Sequence, residues 1–283
     1  MKKFHVRVLG ITQDGGYPHT GCRKDCCIKL WSNPSKKELV ASIALIDQSS
    51  EKFWLIDITP DFKNQYNILS SHYTLSGIFL THAHLGHYIG LLDLGKEVMN
   101  LSNIPVYSMP RMKCFIEENA PINFLIQNNN IKSLGLFDED LIMLNKSVSI
   151  SPFLAPHRNE LSETVGYKIR SNEKSIIYLP DIDTWNSKKL DIIDIIISND
   201  VLFIDGTFYD ENELSNRDIS KIPHPTIKES FNKFKSLDKE NRKKIFFTHL
   251  NHTNNLLRSD SKEFNEVLNR GYNIARTGQC INL

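Results

Sequence analysis

Apolar residues along the chain arrive in short runs separated by polar turns, and most runs have strand length. Val6, Val8 and Leu9 lead into a glycine turn and predict a first strand. "LVASIALID" and "KFWLIDI" flank the polar "QSSE" and predict the two arms of a hairpin. Thr59, Pro60 and Asp61 then predict a helix start: a capping hydroxyl, a proline at the first helical position and an early acid. "SGIFLTH" predicts a buried strand, after which Leu85, Ile89, Leu92 and Met99 follow helical spacing. In the second half, "VSISPFLAPH", "TVGYKIRS" and "KSIIYLPDID" predict three successive strands, and "VLFIDGTF" another. "PHPTIKESFNKF" predicts a helix, "KKIFFTHLNH" a late strand, "KEFNEVLNRG" a helix with a glycine stop, and "NIARTGQCINL" a closing strand. Antiparallel strands followed by strands mixed with helices predict an α/β (α+β) fold in which packed sheets are covered by helices. No repeat, low-complexity tract or linker interrupts this pattern, so residues 1–283 read as one domain.

Composition changes that picture little but excludes some functions. At 283 residues and 40% hydrophobic, the chain buries a sizeable core. Lys+Arg exceed Asp+Glu by only one, 34 against 33, so no whole-molecule field draws nucleic acid or an anionic membrane. The charged run "KSLDKENRKK" lacks interleaved aromatics and reads as a solvated connection. The apolar stretch "LDIIDIIISNDVLFIDG" is broken by Asp191, Asp194 and Asp200, and no leader-like run opens the sequence. A cytoplasmic protein is the expectation. Five cysteines, an odd number, argue against a disulfide framework; Cys22, Cys26 and Cys27 crowd together where a metal is expected.

The chemistry concentrates in "THAHLGHYIG", which holds three of the ten histidines. His82 and His84 are two apart in an extended segment and point to one side. His84 and His87 are three apart across a first helical turn, again on one face. Three converging imidazoles suit zinc, iron or manganese. Later strands end in His157, in Asp181 and Asp183, and in His249, so four strand ends each deliver a nitrogen or carboxylate. His224, in the loop "IPHPTI", reads either as an acid for a leaving group at the mouth of that site or as a surface histidine. Arg158 reads either as a partner for an anionic substrate or as a solvent-facing charge.

This series, HxHxxH followed by a strand-end His, Asp and His, resembles the metallo-β-lactamase superfamily. Within it the chain is similar to the branch of the pyrroloquinoline quinone biosynthesis B protein and the cyclic phosphodiesterase of phosphonate breakdown. The matching pieces are "GITQDGGYPHTGC", "WLIDITPDF", "FLTHAHLGHYIGLL", "TVGYKI", "LFIDGTF", "THLNHTN" and "GYNIARTGQCINL". The resemblance implies an αββα sandwich with a metal centre at one edge of the sheets. It places one ion on His82, His84 and His157, a second on His87 and His249, and Asp181 between them. Asp183 is implied as a further ligand or as a support for one, Asp205 as a support for a ligand histidine, and Asp57 as a structural aspartate. It also implies a structural zinc on Cys22, Cys26, Cys27 and His252, with His19 as the alternative ligand.

Gly86 departs from the superfamily motif, which has aspartate there. Three readings follow: a one-ion centre, an acid such as Asp183 from elsewhere filling the gap, or a two-histidine, one-carboxylate triad suited to ferrous iron. The leading functional expectation is a hydrolase with one or two zinc, manganese or iron ions, acting on a small, anionic phosphodiester or ester-type substrate. In it Asp181 and His224 carry the catalytic roles. The rival expectations are a non-haem iron oxidoreductase of pyrroloquinoline-quinone-type cofactor assembly and a non-catalytic small-molecule carrier. The partner is a small molecule, not nucleic acid or membrane, and a homodimer is compatible with the sequence.

Overall fold

The computed structural model describes residues 4–69, 72–214 and 223–283. The first half of the chain builds one sheet. Its strands are β1 (Phe4–Gly10), β2 (Ser42–Asp47), β3 (Lys52–Ile56), β4 (Thr74–Phe79), β5 (Ile104–Ser108) and β6 (Ile131–Gly135). Helices α1 (Phe62–Ile68), α2 (Leu85–Tyr88), α3 (Pro110–Glu118) and α4 (Ala120–Gln127) connect them. The second sheet holds β7 (Ile142–Met143), β8 (Ser149–Leu154), β9 (Val165–Arg170), β10 (Ser175–Leu179), β11 (Val201–Asp205), β12 (Ile245–Thr248) and β13 (Asn273–Ile274). With it run α5 (Ile192–Ser198), α6 (Ile227–Lys233), α7 (Lys239–Lys243) and α8 (Lys262–Asn269); β14 (Cys280–Asn282) returns to the first sheet. Among the described residues no helix is long and apolar enough to cross a membrane.

The strand orders are β14-β1-β2-β3-β4-β5-β6 and β13-β12-β11-β10-β9-β8-β7. In each sheet the antiparallel strands give way to parallel ones, at β3/β4 in the first and at β10/β11 in the second. The halves therefore repeat in topology although their sequences do not. Alternation along the strands explains the layering. Ile43 and Leu45 of β2, and Trp54 and Ile56 of β3, enter the core that also takes Tyr167, Ile169 and Tyr178 of the second sheet. Their neighbours Ala44, Ile46, Phe53 and Leu55 face the other way, against Met112, Ile116, Ile122 and Leu125 of α3 and α4. This is the αββα sandwich that the resemblance implies, with each fully buried Leu, Ile or Phe contributing about 1.5–3 kcal/mol.

Three elements differ from their sequence reading. The helix after His84 runs only over Leu85–Tyr88 and tightens into a 3-10 segment, Ile89–Leu94. The tighter pitch turns Leu91 and Leu94 inward and leaves Leu85 and Leu92 exposed, while Ile89 is half-buried and Met99 packs against the core, so only part of the α-spaced set is packed. The helix expected at Pro60 begins at Phe62, because the Thr59 hydroxyl accepts a hydrogen bond from Asp61 N and holds the chain in a turn first. The single closing strand is split: β13 pairs with β12, and β14 pairs with β1 in the opposite sheet.

Candidate metal centre

Parallel strands place their C-terminal ends at one edge of the sandwich, and the polar residues that follow β3, β4, β10, β11 and β12 meet there. His82 lies in the turn after β4. Its Nδ1 is 3.0 Å from the Thr81 hydroxyl, which itself hydrogen-bonds Asp57. His84, at the N-cap of α2, brings Nδ1 to 3.4 Å from His157 Nε2. Asp181 follows β10 and offers both oxygens. Oδ1 lies 3.7 Å from His157 Nε2, while Oδ2 lies 3.3 Å from His87 Nε2 and 3.4 Å from His249 Nε2. A tetrahedral ion with bonds of 2.0–2.1 Å has ligand–ligand edges of about 3.4 Å.

Donor atoms group accordingly as His82–His84–His157, as His82–His87–Asp181 and as Asp181–His224–His249, each set within 4.8 Å. His82 Nε2, His87 Nε2, His249 Nε2 and Asp181 Oδ2 are buried and have no hydrogen-bond partner. Buried polar atoms without a partner are costly, and these converge on one locus. The residues present thus fit bound metal, and Asp181 faces both histidine sets.

The outer nitrogens of His82, His87, His157, His224 and His249 are each held by a carboxylate or hydroxyl. His87 Nδ1 donates to Asp57 at 2.7 Å, His157 Nδ1 to Asp183 at 2.8 Å and His224 Nδ1 to Asp205 at 2.6 Å. His249 Nδ1 lies 3.0 Å from the Thr207 hydroxyl. Such partners fix the ring and leave the other nitrogen for the centre. Asp183 is therefore placed behind His157 and outside the donor sets, and Asp205 supports His224, not a member of the first donor set. Asp57 and His249 both have left-handed backbones, φ 65° and 60°, each costing about 1–3 kcal/mol. In that conformation their side chains turn back toward the centre. Asp57→Asn is expected to weaken metal binding or activity by about 10- to 100-fold, because the His87 ring loses its anchor. Competition against a coloured chelator measures this, and wild-type affinity in the variant would contradict it.

Electrostatics favour the deprotonated ligand set. Burial pushes His82 well down, pushes His84 to about 4 and pushes His249 down, so these rings are neutral near pH 7. Burial opposes the charge on Asp181, but His249, His87, His82 and His157 around it hold its carboxyl well below the usual range. His87 is the exception: burial disfavours its cation, yet Asp57 and Asp181 outweigh burial and raise it.

One carboxylate was not read from the sequence as part of this site. Asp14, in the loop after β1, sets Oδ1 3.5 Å from His87 Nε2 and forms a donor set with His87 and His249. Its signal was indirect: a glycine at position 86 and the "QDGG" loop.

Further along the same edge, Cys22, Cys26, Cys27 and His252 form a second cluster. Cys26 Sγ is 3.8 Å from both Cys22 Sγ and Cys27 Sγ, and His252 Nδ1 is 3.5 Å from Cys26 Sγ and 3.4 Å from Cys27 Sγ. A tetrahedron with zinc–sulfur bonds of 2.3 Å has edges of about 3.8 Å. His19 packs its ring 4.4 Å from that of His252 and turns Nδ1 to Thr20 O, outside the donor set. The adjacent cysteines thus reach one locus, and two metal-competent sites share the strand-end segment after β12.

Two mixed sheets with histidines and carboxylates converging at their edge define a metal-binding αββα fold. The chain belongs to the beta-lactamase superfamily: the model of the beta-lactamase superfamily domain matches residues 54–250. It is 22% identical over 313 residues to coenzyme PQQ synthesis protein B of Methylorubrum extorquens (strain PA1), covering 99% of this chain and 100% of that one. It is 24% identical over 310 residues to the same-named protein of Xanthomonas axonopodis pv. citri (strain 306), covering 97% and 98%. Among solved structures, zinc-bound PqqB from Methylobacterium extorquens superimposes with a TM-score of 0.83 at 21% identity, covering 99% and 100%. A diphosphatase of the PhnP family superimposes with a TM-score of 0.71 at 22% identity, covering 99% and 97%.

Proposed function

We propose that the protein is a metal-dependent hydrolase of a small anionic phosphodiester or ester, with two zinc or manganese ions at the strand-end centre and a third, structural zinc on the cysteines. The observation that carries this reading is Asp181, whose two oxygens face two different histidine sets and whose Oδ2 is buried without a hydrogen-bond partner, like Nε2 of His82, His87 and His249. When bound, the ions supply Lewis acidity and a water activated near neutral pH. The chain's residues do the rest. Asp57, Asp183 and Thr207 fix the ligand rings, so the centre needs little reorganisation as charge develops. His224, held by Asp205 and grouped with Asp181 and His249, stands where a departing oxygen takes up its proton. The bond that forms joins water oxygen to phosphorus or carbonyl carbon, and the ester bond to the leaving oxygen breaks.

Arg158 supports an anionic substrate. It follows the ligand His157 directly, its charge weighs against protonation of both His84 and His224, and its Nε is buried without a partner. Arg158→Ala is expected to raise KM about 10- to 100-fold for an anionic diester, the scale of a hydrogen bond to a charged group. A neutral ester gives the contrast, because it makes no such contact. An equal loss on both substrates would remove Arg158 from substrate binding.

The fold it shares with a diphosphatase supports the hydrolytic reading. The full-length likeness to PQQ synthesis B proteins supports a second one, an iron-dependent oxidation in quinone-cofactor assembly. Protein loaded with zinc, manganese or iron, assayed on bis(p-nitrophenyl) phosphate and simple esters with an oxygen electrode in parallel, separates them. Chelator-sensitive release of nitrophenol without oxygen uptake is the expected result. Oxygen uptake by the iron form alone would overturn it.

A further inference from the structure

Resting on that reading of the centre, we infer that Asp14 is the carboxylate ligand of the second ion, carried on the loop after β1, and that Gly86 is the residue that admits it. The superfamily motif places its carboxylate on the helix turn itself; here the carboxylate arrives from a distant part of the chain and occupies the same space.

Three observations carry this. First, Asp14 Oδ1 lies 3.5 Å from His87 Nε2 and belongs with His87 and His249 to a set of donors within 4.8 Å. Although the Asp14 side chain as a whole is 36% exposed, Oδ1 is buried and has no hydrogen-bond partner, like His87 Nε2 and His249 Nε2 beside it. Secondly, the two positions exclude each other. A Cβ at Gly86 would sit 2.1 Å from Asp14 Oδ1 and 2.9 Å from its Cα and Cγ. No aspartate fits at 86 while Asp14 is in place, and no rotamer of Asp14 relieves the approach to its Cα.

Thirdly, the loop is built to hold this position. Leu250 N donates to Ile11 O at 2.7 Å, Gln13 N donates to Leu250 O at 3.0 Å, and Gly16 N closes a turn onto Gln13 O at 2.8 Å. Leu250 is the neighbour of His249, so the segment that presents one ligand also pins the loop that presents the other. The second ion thereby has two imidazoles and two carboxylates, Asp14 and Asp181. That set is fuller than the bare triad of His87, His249 and Asp181 that the glycine alone suggests, and it leaves fewer positions open for oxygen.

Manganese(II) alone serves as the probe, added to full-length protein that retains its cysteine-bound zinc, with bound equivalents counted and the electron paramagnetic resonance spectrum recorded. Wild type is expected to take two ions giving an exchange-coupled spectrum. D14N, which keeps the side-chain shape, and D14A are expected to show one isolated ion, the second binding about 100-fold more weakly. D14G/G86D moves the carboxylate back to the helix turn and leaves only the 2.9 Å approach to the Cα of residue 14, which the glycine loop relieves by a shift of a few tenths of an ångström; it is expected to regain the coupled pair. A coupled pair of wild-type affinity in D14N overturns the assignment and leaves Asp14 as an ion-pair partner of His87. A double variant held at one ion overturns the exchange of positions. Wild type that takes neither manganese nor, in a parallel titration, zinc at the centre overturns this inference and the hydrolase reading together, whereas two ions in both wild type and D14N overturn this inference alone.

Discussion

Asp181→Asn is expected to reduce the centre from two ions to one or none and to lower kcat/KM by about 10³-fold or more, the scale of losing a preorganised electrostatic contact. The reason is geometric and electrostatic together. Among the described residues Asp181 is the one whose two oxygens reach both donor sets, at 3.7 Å from His157 and at 3.3 and 3.4 Å from His87 and His249. Asparagine keeps the shape but removes the charge and replaces one oxygen by a nitrogen that binds metal poorly. The fold is expected to survive, with the melting temperature of metal-free protein changed by about 3 °C or less. Asparagine gives up the attraction between the carboxylate and His87, which Asp181 helps to hold protonated, so the metal-free protein is expected to melt slightly lower, not higher. His84→Ala makes the complementary change, since His84 joins only the first set and the second is expected to keep its ion. Elemental analysis and turnover, measured on the same samples, check both variants. Full metal content with full activity in Asp181→Asn would remove Asp181 from the centre.

Much of this arrangement was legible because parallel strands put chemistry at their ends. The runs before His82, Asp181 and His249 are mostly apolar and buried and close on polar residues, Thr81–His82, Asp181 and Thr248–His249, which project at the sheet edge. The motif around His82 added spacing to position. What escaped was whatever depends on contacts between distant segments. Asp14 has no periodicity or motif of its own; only the clash it would have with a side chain at 86 ties the two positions together. The length of the helix after His84 escaped because Leu85 and Leu92 mimic an α face, while 3-10 winding decides which leucines pack. The split of the closing strand escaped for a related reason. β13 and β14 are two or three residues each and take their identity from the sheet they reach, not from their own sequence.

The cysteine cluster is expected to act as a clamp whose loss is felt at the active centre. Cys26 and Cys27 meet His252 across 226 and 225 residues of chain, so one ion there closes a loop spanning most of the molecule. Zinc held about a thousandfold above its dissociation constant stabilises by about 4 kcal/mol. For a chain of this size that corresponds to a melting temperature higher by on the order of 10 °C. Cys27→Ser is expected to lose one zinc equivalent and that increment, measured by elemental analysis and thermal unfolding with and without added zinc. Cys27 is the sensitive position because it is fully buried and packs with Tyr17 and Leu30, whereas Cys22 is partly exposed. The loss should also spread. His252 lies three residues beyond His249, and Leu250 between them holds the loop that carries Asp14. Loosening that segment is expected to weaken the second ion of the centre more than the first, whose ligands sit on β4 and β8 ends away from it. A variant that loses its cysteine-bound zinc yet keeps both centre ions at wild-type affinity would show that the two sites are independent. Loss of the second ion before the first, in a titration with chelator, would show that the clamp and the centre form one mechanical unit.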